Sequence, residues 1–322
     1  LIAYPRLIVK YLRIPHHDAV FVPYMGHFDV LLLRPMASMR HIPIIWDAFL
    51  SLWDTIVLDR RMLDQRHFLA RLLHWLEEYA CHAADMVVLD TKAHAHFFCE
   101  TYGLSLHKTS AVFVGAEADS FPLLPPRKRD PNAPVRVLFY GQFIPLHGIP
   151  TIIEGARLAQ RKPIDWVLIG KGQEEDRIKI KIRASSTLRL QWIPWVRYED
   201  LIKEIAEADV CLGIFGTSEK ASRVIPNKVF QILSCGRPLV TRDSPAIQEL
   251  VAPDTPGVEL VPPANPAALV AAVEDLARSN RQPPHHLRDA FTTVSIGLKM
   301  VDIIEMTTQS MTSRKERPRN QS

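Results

Sequence analysis

Three cations, Lys220, Arg223 and Lys228, stand within one stretch of the 322-residue chain, GIFGTSEKASRVIPNK at 213–228. The apolar run DVCLGIF precedes it and an amphipathic run at 225–235 follows. The stretch therefore reads as the loop after a buried strand and the first turn of the next helix. Cations fixed at a helix N-terminus suit an anion whose charge grows as a bond breaks, such as a departing diphosphate. Asn227 beside them can cap that helix or hydrogen-bond a ribose or base edge. The plain alternative is a solvated, charged loop; position, charge and capping together favour the anion site.

Other loops after strands carry weaker signals. In YGQFIPLHG (140–148), Gly141 and Gly148 bracket a loop that runs into a helix and can turn backbone N–H groups toward a phosphate. In GKGQEE (170–175), Gly170 and Lys171 stand before a helix start. In TRDSPAIQEL, Asp243 or Ser244 opens a helix expected at 244–251. Glu249, one turn in, could take a ribose hydroxyl pair or be ordinary helix-surface charge. Nearer the N-terminus, GHFDV places His27 and Asp29 after a strand, while Asp47 and Asp54 lie near the end of the next. One of these could bind or deprotonate a hydroxyl acceptor, although a lone histidine is more often structural.

The elements that must hold these residues alternate regularly. Short apolar runs at 19–24, 41–47, 85–90 and 109–115 read as buried strands, with helices expected at 1–14, 63–82 and 91–102. The helix at 1–14 carries Arg6, Lys10 and Arg13; a sheet-covering role is preferred to a membrane-surface one because a strand follows directly. PLLPPRKRDPNAP (122–134) breaks the pattern and reads as a linker. Six further strand–helix units follow, with strands starting at 135, 165, 188, 209, 237 and 257. This is an α/β chain of two doubly wound, Rossmann-like parallel-sheet domains. The expected division is 1–121, a linker at 122–134, 135–286, a helix at 287–310 and a disordered polar tail at 311–322. The chain starts at Leu1 inside an expected helix, so the first domain reads as lacking its first strand and loop.

Composition narrows the classes. Hydrophobic content of 47% and charged content of 23% are those of an ordinary globular chain. A net charge of +4 suits phosphate handling but is too weak for nucleic-acid binding, and no basic stripe interleaved with aromatics occurs. No G-x-G-x-x-G follows a strand and no G-x-x-x-x-G-K-[ST] occurs, against a dinucleotide oxidoreductase and a P-loop nucleotidase. Four cysteines form no C-x-x-C pair, and thirteen scattered histidines offer no H-x-x-x-H, so a metal site is not expected.

The pieces FYGQFIPLHGIPTIIEG, DWVLIGKG, LQWIPWVRYEDLIKEIAEADVCLGIFG, VIPNKVFQILSCGRPLVTRDSPAIQEL and GVELVPPANPAALVAAVEDLA resemble, in order and spacing, the sugar-nucleotide-binding domain of glycosyltransferase family 4. GHFDV, IPIIWDAF, ADMVVLDTKAHAHFF and VFVGAEADSF are similar to its acceptor-side domain. The resemblance implies GT-B architecture, two domains facing a cleft with the last helix crossing back onto the first. It implies sugar transfer from a UDP-, GDP- or ADP-sugar to a hydroxyl acceptor on a glycan, lipid or polysaccharide. Retention at the anomeric carbon, no metal, no cofactor, and a cytoplasmic location with peripheral membrane contact follow from the same likeness.

It also distributes roles. Arg223, Lys228 and Lys220 would stabilise the leaving diphosphate. Gly141, Gln142, His147, Gly148, Gly170, Lys171, Asn227, Gln231 and Glu249 would lie around the donor, with His27 and Asp47 on the acceptor side. The chain departs from the family where it counts. Gln142 and His147 replace a usual Arg and Lys, and Arg223 and Gln231 replace two glutamates eight positions apart. Pro226, Lys228 and Phe230 keep the Pro-x-Lys-x-aromatic core. A branch with relocated cations is the expectation; a catalytically silent binding module and a sugar-nucleotide epimerase are the alternatives.

Overall fold

The computed structural model describes residues 4–130, 132–184 and 188–316, with side chains as far as 312. Contacts divide the chain into two units, Leu1–Phe113 with Gly297–Ser322, and Val114–Ile296. The first unit runs α1 (Tyr4–Arg13), β1 (Val20–Val22), α2 (His27–Arg40), β2 (Ile44–Phe49), α3 (Phe68–Ala83), β3 (Met86–Leu89), α4 (Lys92–Tyr102) and β4 (Thr109–Ala111). Its strands pair in parallel in the order β1-β2-β3-β4. Trp46, Phe98, Tyr102 and Leu89 fill the core beneath them.

Three local departures from the sequence pattern affect this unit. β2 does not end at Asp47 but continues to Phe49, with a register shift against β3 between those residues. A π-helical stretch, Asp54–Asp59, follows it. α3 starts at Phe68 rather than 63, and turns Ala70, Glu77, Ala80 and Cys81 inward. Its buried face is thus made of small residues and one carboxylate, while Phe68, Leu72 and Trp75 are exposed.

The second unit runs β5 (Val135–Tyr140), α5 (Ile149–Leu158), β6 (Ile164–Ile169), α6 (Glu175–Arg183), β7 (Leu190–Ile193), α7 (Tyr198–Glu207), β8 (Val210–Leu212), α8 (Glu219–Arg223), α9 (Asn227–Ser234), β9 (Leu239–Arg242), α10 (Pro245–Gln248), β10 (Val258–Val261) and α11 (Pro266–Ser279). α12 (Thr293–Glu316) closes the described chain. The tail expected to be disordered is helical as far as Glu316, and 317–322 lie outside the described residues. Among the described residues the sheets have four and six strands.

The second sheet is parallel throughout, in the order β10-β9-β8-β5-β6-β7. The chain enters at β5, builds outward through β6 and β7, then returns to the other side of β5 at β8. The strand order therefore reverses between β5 and β8, and a parallel α/β sheet opens its ligand crevice beyond the strand ends at that point. Phe139, Phe143, Trp166 and Phe215 are fully buried around α5 and α11, each contributing about 2–3 kcal/mol by leaving water. That packing fixes the two strand ends on which the site is built.

Candidate functional site

The loops after β5 and β8 are tied to each other by backbone. The N–H of Phe215 donates to the His147 carbonyl at 3.1 Å, and that of Gly216 to the Leu146 carbonyl at 3.2 Å. Gly148 has φ +65°, and a Cβ there would stand 2.4 Å from the Phe215 carbonyl carbon. Only glycine meets both demands. His147 closes the loop from inside: its Nδ1 donates to the Gln142 carbonyl, and its ring meets Phe139 edge-on at 5.6 Å. The next loop joins through the Phe143 N–H, which donates to the Lys171 carbonyl at 3.0 Å.

Lys228 lies at the centre of this frame. It sits in the first turn of α9, yet its side chain is 5% exposed. Its Nζ rests 3.8 Å from the centroid of the Phe139 ring and would be 2.8 Å from a Cβ at Gly141, which has φ +139°. That ammonium has no hydrogen-bond partner among the described residues. The aromatic face gives it partial compensation, but burial drives its pKa well below the ordinary lysine value. A buried cationic group without an acceptor is costly, by several kcal/mol when charged. An anionic oxygen set beside Gly141 would complete it.

The surroundings hold α9 in register. The Tyr140 hydroxyl shares its one proton between the Lys228 carbonyl at 3.3 Å and Gln231 Oε1 at 3.2 Å. Gln231 also hydrogen-bonds the Tyr198 hydroxyl, which itself donates to Glu117 at 3.0 Å. Burial first, and Glu117 second, push the Tyr198 hydroxyl up to about 12. Gln231 is thus an oriented amide between two tyrosines.

Other residues singled out in the sequence are placed differently. The helix expected at 225–235 is α9, and the loop before it holds a further short helix, α8, which Ser218 caps by accepting from the Ala221 N–H at 3.3 Å. Lys220 and Arg223 belong to α8, with Lys220 buried and Arg223 half-buried. Asn227 does not cap α9; Pro226 holds that position, and Asn227 is exposed. Ser244, not Asp243, caps α10. That helix ends at Gln248 instead of 251, so Glu249 stands at its C-terminus. Lys171 is exposed on its loop, next to Gly170, whose carbonyl accepts from Trp192 Nε1 at 2.8 Å.

Arg242 was not singled out. At the end of β9 it is buried, and its Nη1 donates to the carbonyls of Gly216 at 2.6 Å and Ser218 at 3.4 Å. Burial lowers its pKa from the usual arginine range. It straps down the loop that leads to α8. The signal in the sequence is a cation at the end of a buried strand, the end at which such sheets gather their functional residues.

In the first unit, His27 opens α2 and is buried; its Nε2 meets Glu77 Oε1 at 3.3 Å and its ring meets Trp46 edge-on at 4.8 Å. Glu77 also accepts from Ser51, Leu52, Trp53 and Tyr102 at 2.7–3.2 Å. Those donors hold its carboxyl below the usual range against the opposing effect of burial. Asp47 lies within β2, where burial, with the Asp90 charge adding to it, raises its pKa to about 6. Asp90 in turn takes His94 Nδ1 at 2.7 Å. Among the described residues, no group of three or more His, Cys, Asp or Glu side chains could hold a metal ion.

Comparison with known proteins places this geometry in a family of folds. Residues 134–279 match the sequence model of the family described as Glycosyl transferases group 1. No curated protein matches the chain. Solved structures do. Anabaena Alr3699/HepE in complex with UDP superposes at TM-score 0.69 with 14% identity, over 94% of this chain and 82% of that one. Sucrose-phosphate synthase from Thermosynechococcus elongatus gives TM-score 0.69 at 16% identity, over 96% and 77%. The lipopolysaccharide outer core galactosyltransferase WaaB gives 0.66 at 15%, over 94% and 79%. At these identities the likeness is one of fold: an α/β chain with two parallel sheets, of the GT-B class.

Proposed function

We propose that this chain is a glycosyltransferase that moves a sugar from a nucleoside diphosphate donor to a hydroxyl acceptor. The observation that carries the reading is the buried ammonium of Lys228, unpartnered among the described residues, at the strand-order reversal of the second sheet. A donor diphosphate laid against Gly141 would supply its missing acceptor. As the bond between the anomeric carbon and the β-phosphate oxygen breaks, negative charge grows on that oxygen, and Lys228 is already in place to meet it. The acceptor oxygen forms the new bond to the anomeric carbon, and its proton ends on the released diphosphate or in solvent. Positioning and leaving-group stabilisation carry the rate, so no dedicated protein base is required.

The match over 134–279 supports the transferase reading, and the UDP named for the Anabaena protein makes a UDP-sugar the first donor to try. The family resemblance adds retention and independence from metal, with Lys228 supplying charge that a cation would otherwise bring. We place the acceptor among glycans, lipid-linked sugars or polysaccharides, with Asp47 and His27 on the acceptor side. A cytoplasmic site of action at an anionic membrane face fits the +4 net charge. No helix among the described residues is long and apolar enough to cross a membrane.

The test is release of UDP from a panel of UDP-sugars, with and without hydroxyl acceptors. Acceptor-dependent UDP release, with a glycoside as product, is expected. Sugar-nucleotide turnover without acceptor would replace the reading with an epimerase, and tight UDP binding without turnover would replace it with a binding module.

A further inference from the structure

At the opposite ends of the same strands, the second unit holds a cavity of about 590 Å³. Asp209, just before β8, and Pro238, just before β9, mark its floor, and the ends of α7 and α11 form its sides. Five cations line it: Arg127, Lys128, Arg129, Arg237 and Arg278. Asp209 is the one acid among the described lining residues, and it is already engaged. Its Oδ2 lies 2.7 Å from Arg127 and accepts the Arg136 N–H at 2.8 Å.

Helix capping explains two of the cations. Arg237 donates to the carbonyls of Ile205 and Ala206 at the end of α7, and Arg129 to that of Ala277 at the end of α11. Each helix end is worth about half a negative charge. Together with Asp209 they leave about three positive charges uncompensated around the cavity. Lys128 and Arg278 are exposed and have no partner among the described residues. Gln282, on the same wall, has a buried side-chain oxygen with no hydrogen-bond partner among the described residues. The cavity thus offers surplus positive charge and an unpaired neutral polar group.

We infer that this cavity is a second anion site, which takes a small phosphate ester bearing hydroxyl groups. The phosphate answers the charge of Lys128 and Arg278; a hydroxyl answers Gln282. A volume of about 590 Å³ lies in the ordinary range for small-molecule sites and is far more than one inorganic phosphate fills. The site is independent of the donor reading, because it shares no residue with the frame around Lys228.

Calorimetric titration of the full chain with ribose 5-phosphate, inorganic phosphate and ribose tests it. Ribose 5-phosphate is expected to bind more tightly than phosphate, and ribose not to bind. The double variant Lys128→Ala/Arg278→Ala, which changes only exposed side chains, should weaken ribose 5-phosphate at least about tenfold and leave UDP binding unchanged. Lys228→Met should leave ribose 5-phosphate binding unchanged. No binding in the millimolar range, or binding lost in Lys228→Met and kept in the double variant, overturns the inference.

Discussion

Each unit turns a charged side chain inward from a helix, Glu77 from α3 and Lys228 from α9, and the two are treated in opposite ways. Glu77 is fully buried, and His27, Ser51, Leu52, Trp53 and Tyr102 all give it hydrogen bonds. Lys228 is almost as deeply buried and has none among the described residues. A satisfied buried ion is part of the scaffold: it ties α3 to α2, α4 and the chain after β2. An unsatisfied one is a scaffold waiting for a counter-ion. The difference between them separates structure from function more sharply than burial or charge does alone.

The largest expected effect comes from breaking the satisfied ion. Glu77→Ala strands several buried donors and should cost about 3–5 kcal/mol of stability, read by denaturant unfolding. A loss below about 1 kcal/mol would mean that the donors find water or one another.

Breaking the unsatisfied ion should act in the opposite direction on stability. Lys228→Met keeps most of the volume and removes a group that is costly in the free chain. Its melting temperature should rise by about 2–4 °C, while UDP binding weakens by about 100-fold or more, near 2.7 kcal/mol. A fall in both would make Lys228 a scaffold residue like Glu77.

The same contrast has a pH signature. Burial holds the folded Lys228 pKa below its unfolded value. In that window the unfolded chain binds the extra proton, so this group lets stability rise with pH until the ordinary lysine value near 10.4. UDP affinity should move the other way and fall as pH rises, because the bound form needs the ammonium. Thermal melts and UDP titrations from pH 7 to 9 check both slopes.

The smallest effect concerns Asp47. Its folded pKa of about 6 exceeds the ordinary carboxylate value of 3.8. The folded chain therefore holds the proton longer, and what protonation contributes is lost as pH rises through about 6. Asp47→Asn should raise the melting temperature more at pH 8 than at pH 5. An equal shift at both would assign the effect to packing.

The alternation of β5 to α11 was legible because parallel strands buried on both faces read as uniform apolar runs between amphipathic helices. Lys228 was legible as a cation at a helix start, but its burial was not, since that depends on Phe139 and Gly141, nearly ninety positions away. Glu77 was invisible because helical periodicity marks apolar faces, and here the inward face carries a carboxylate among alanines. α8 was missed because it is five residues long and depends on the Ser218 cap. Asp47 was read as a strand end because the bulge that carries β2 on to Phe49 leaves no mark in the residue pattern.

The central claim is that Lys228 is the cationic partner of the donor diphosphate. Titration of UDP at pH 8 in buffers of different ionisation heat tests it most directly. UDP binding to the wild-type chain should carry a net proton uptake, read as heats that vary with the buffer, and Lys228→Met should bind far more weakly with less uptake. Equal affinity in the two proteins, with heats independent of buffer in both, would contradict the account.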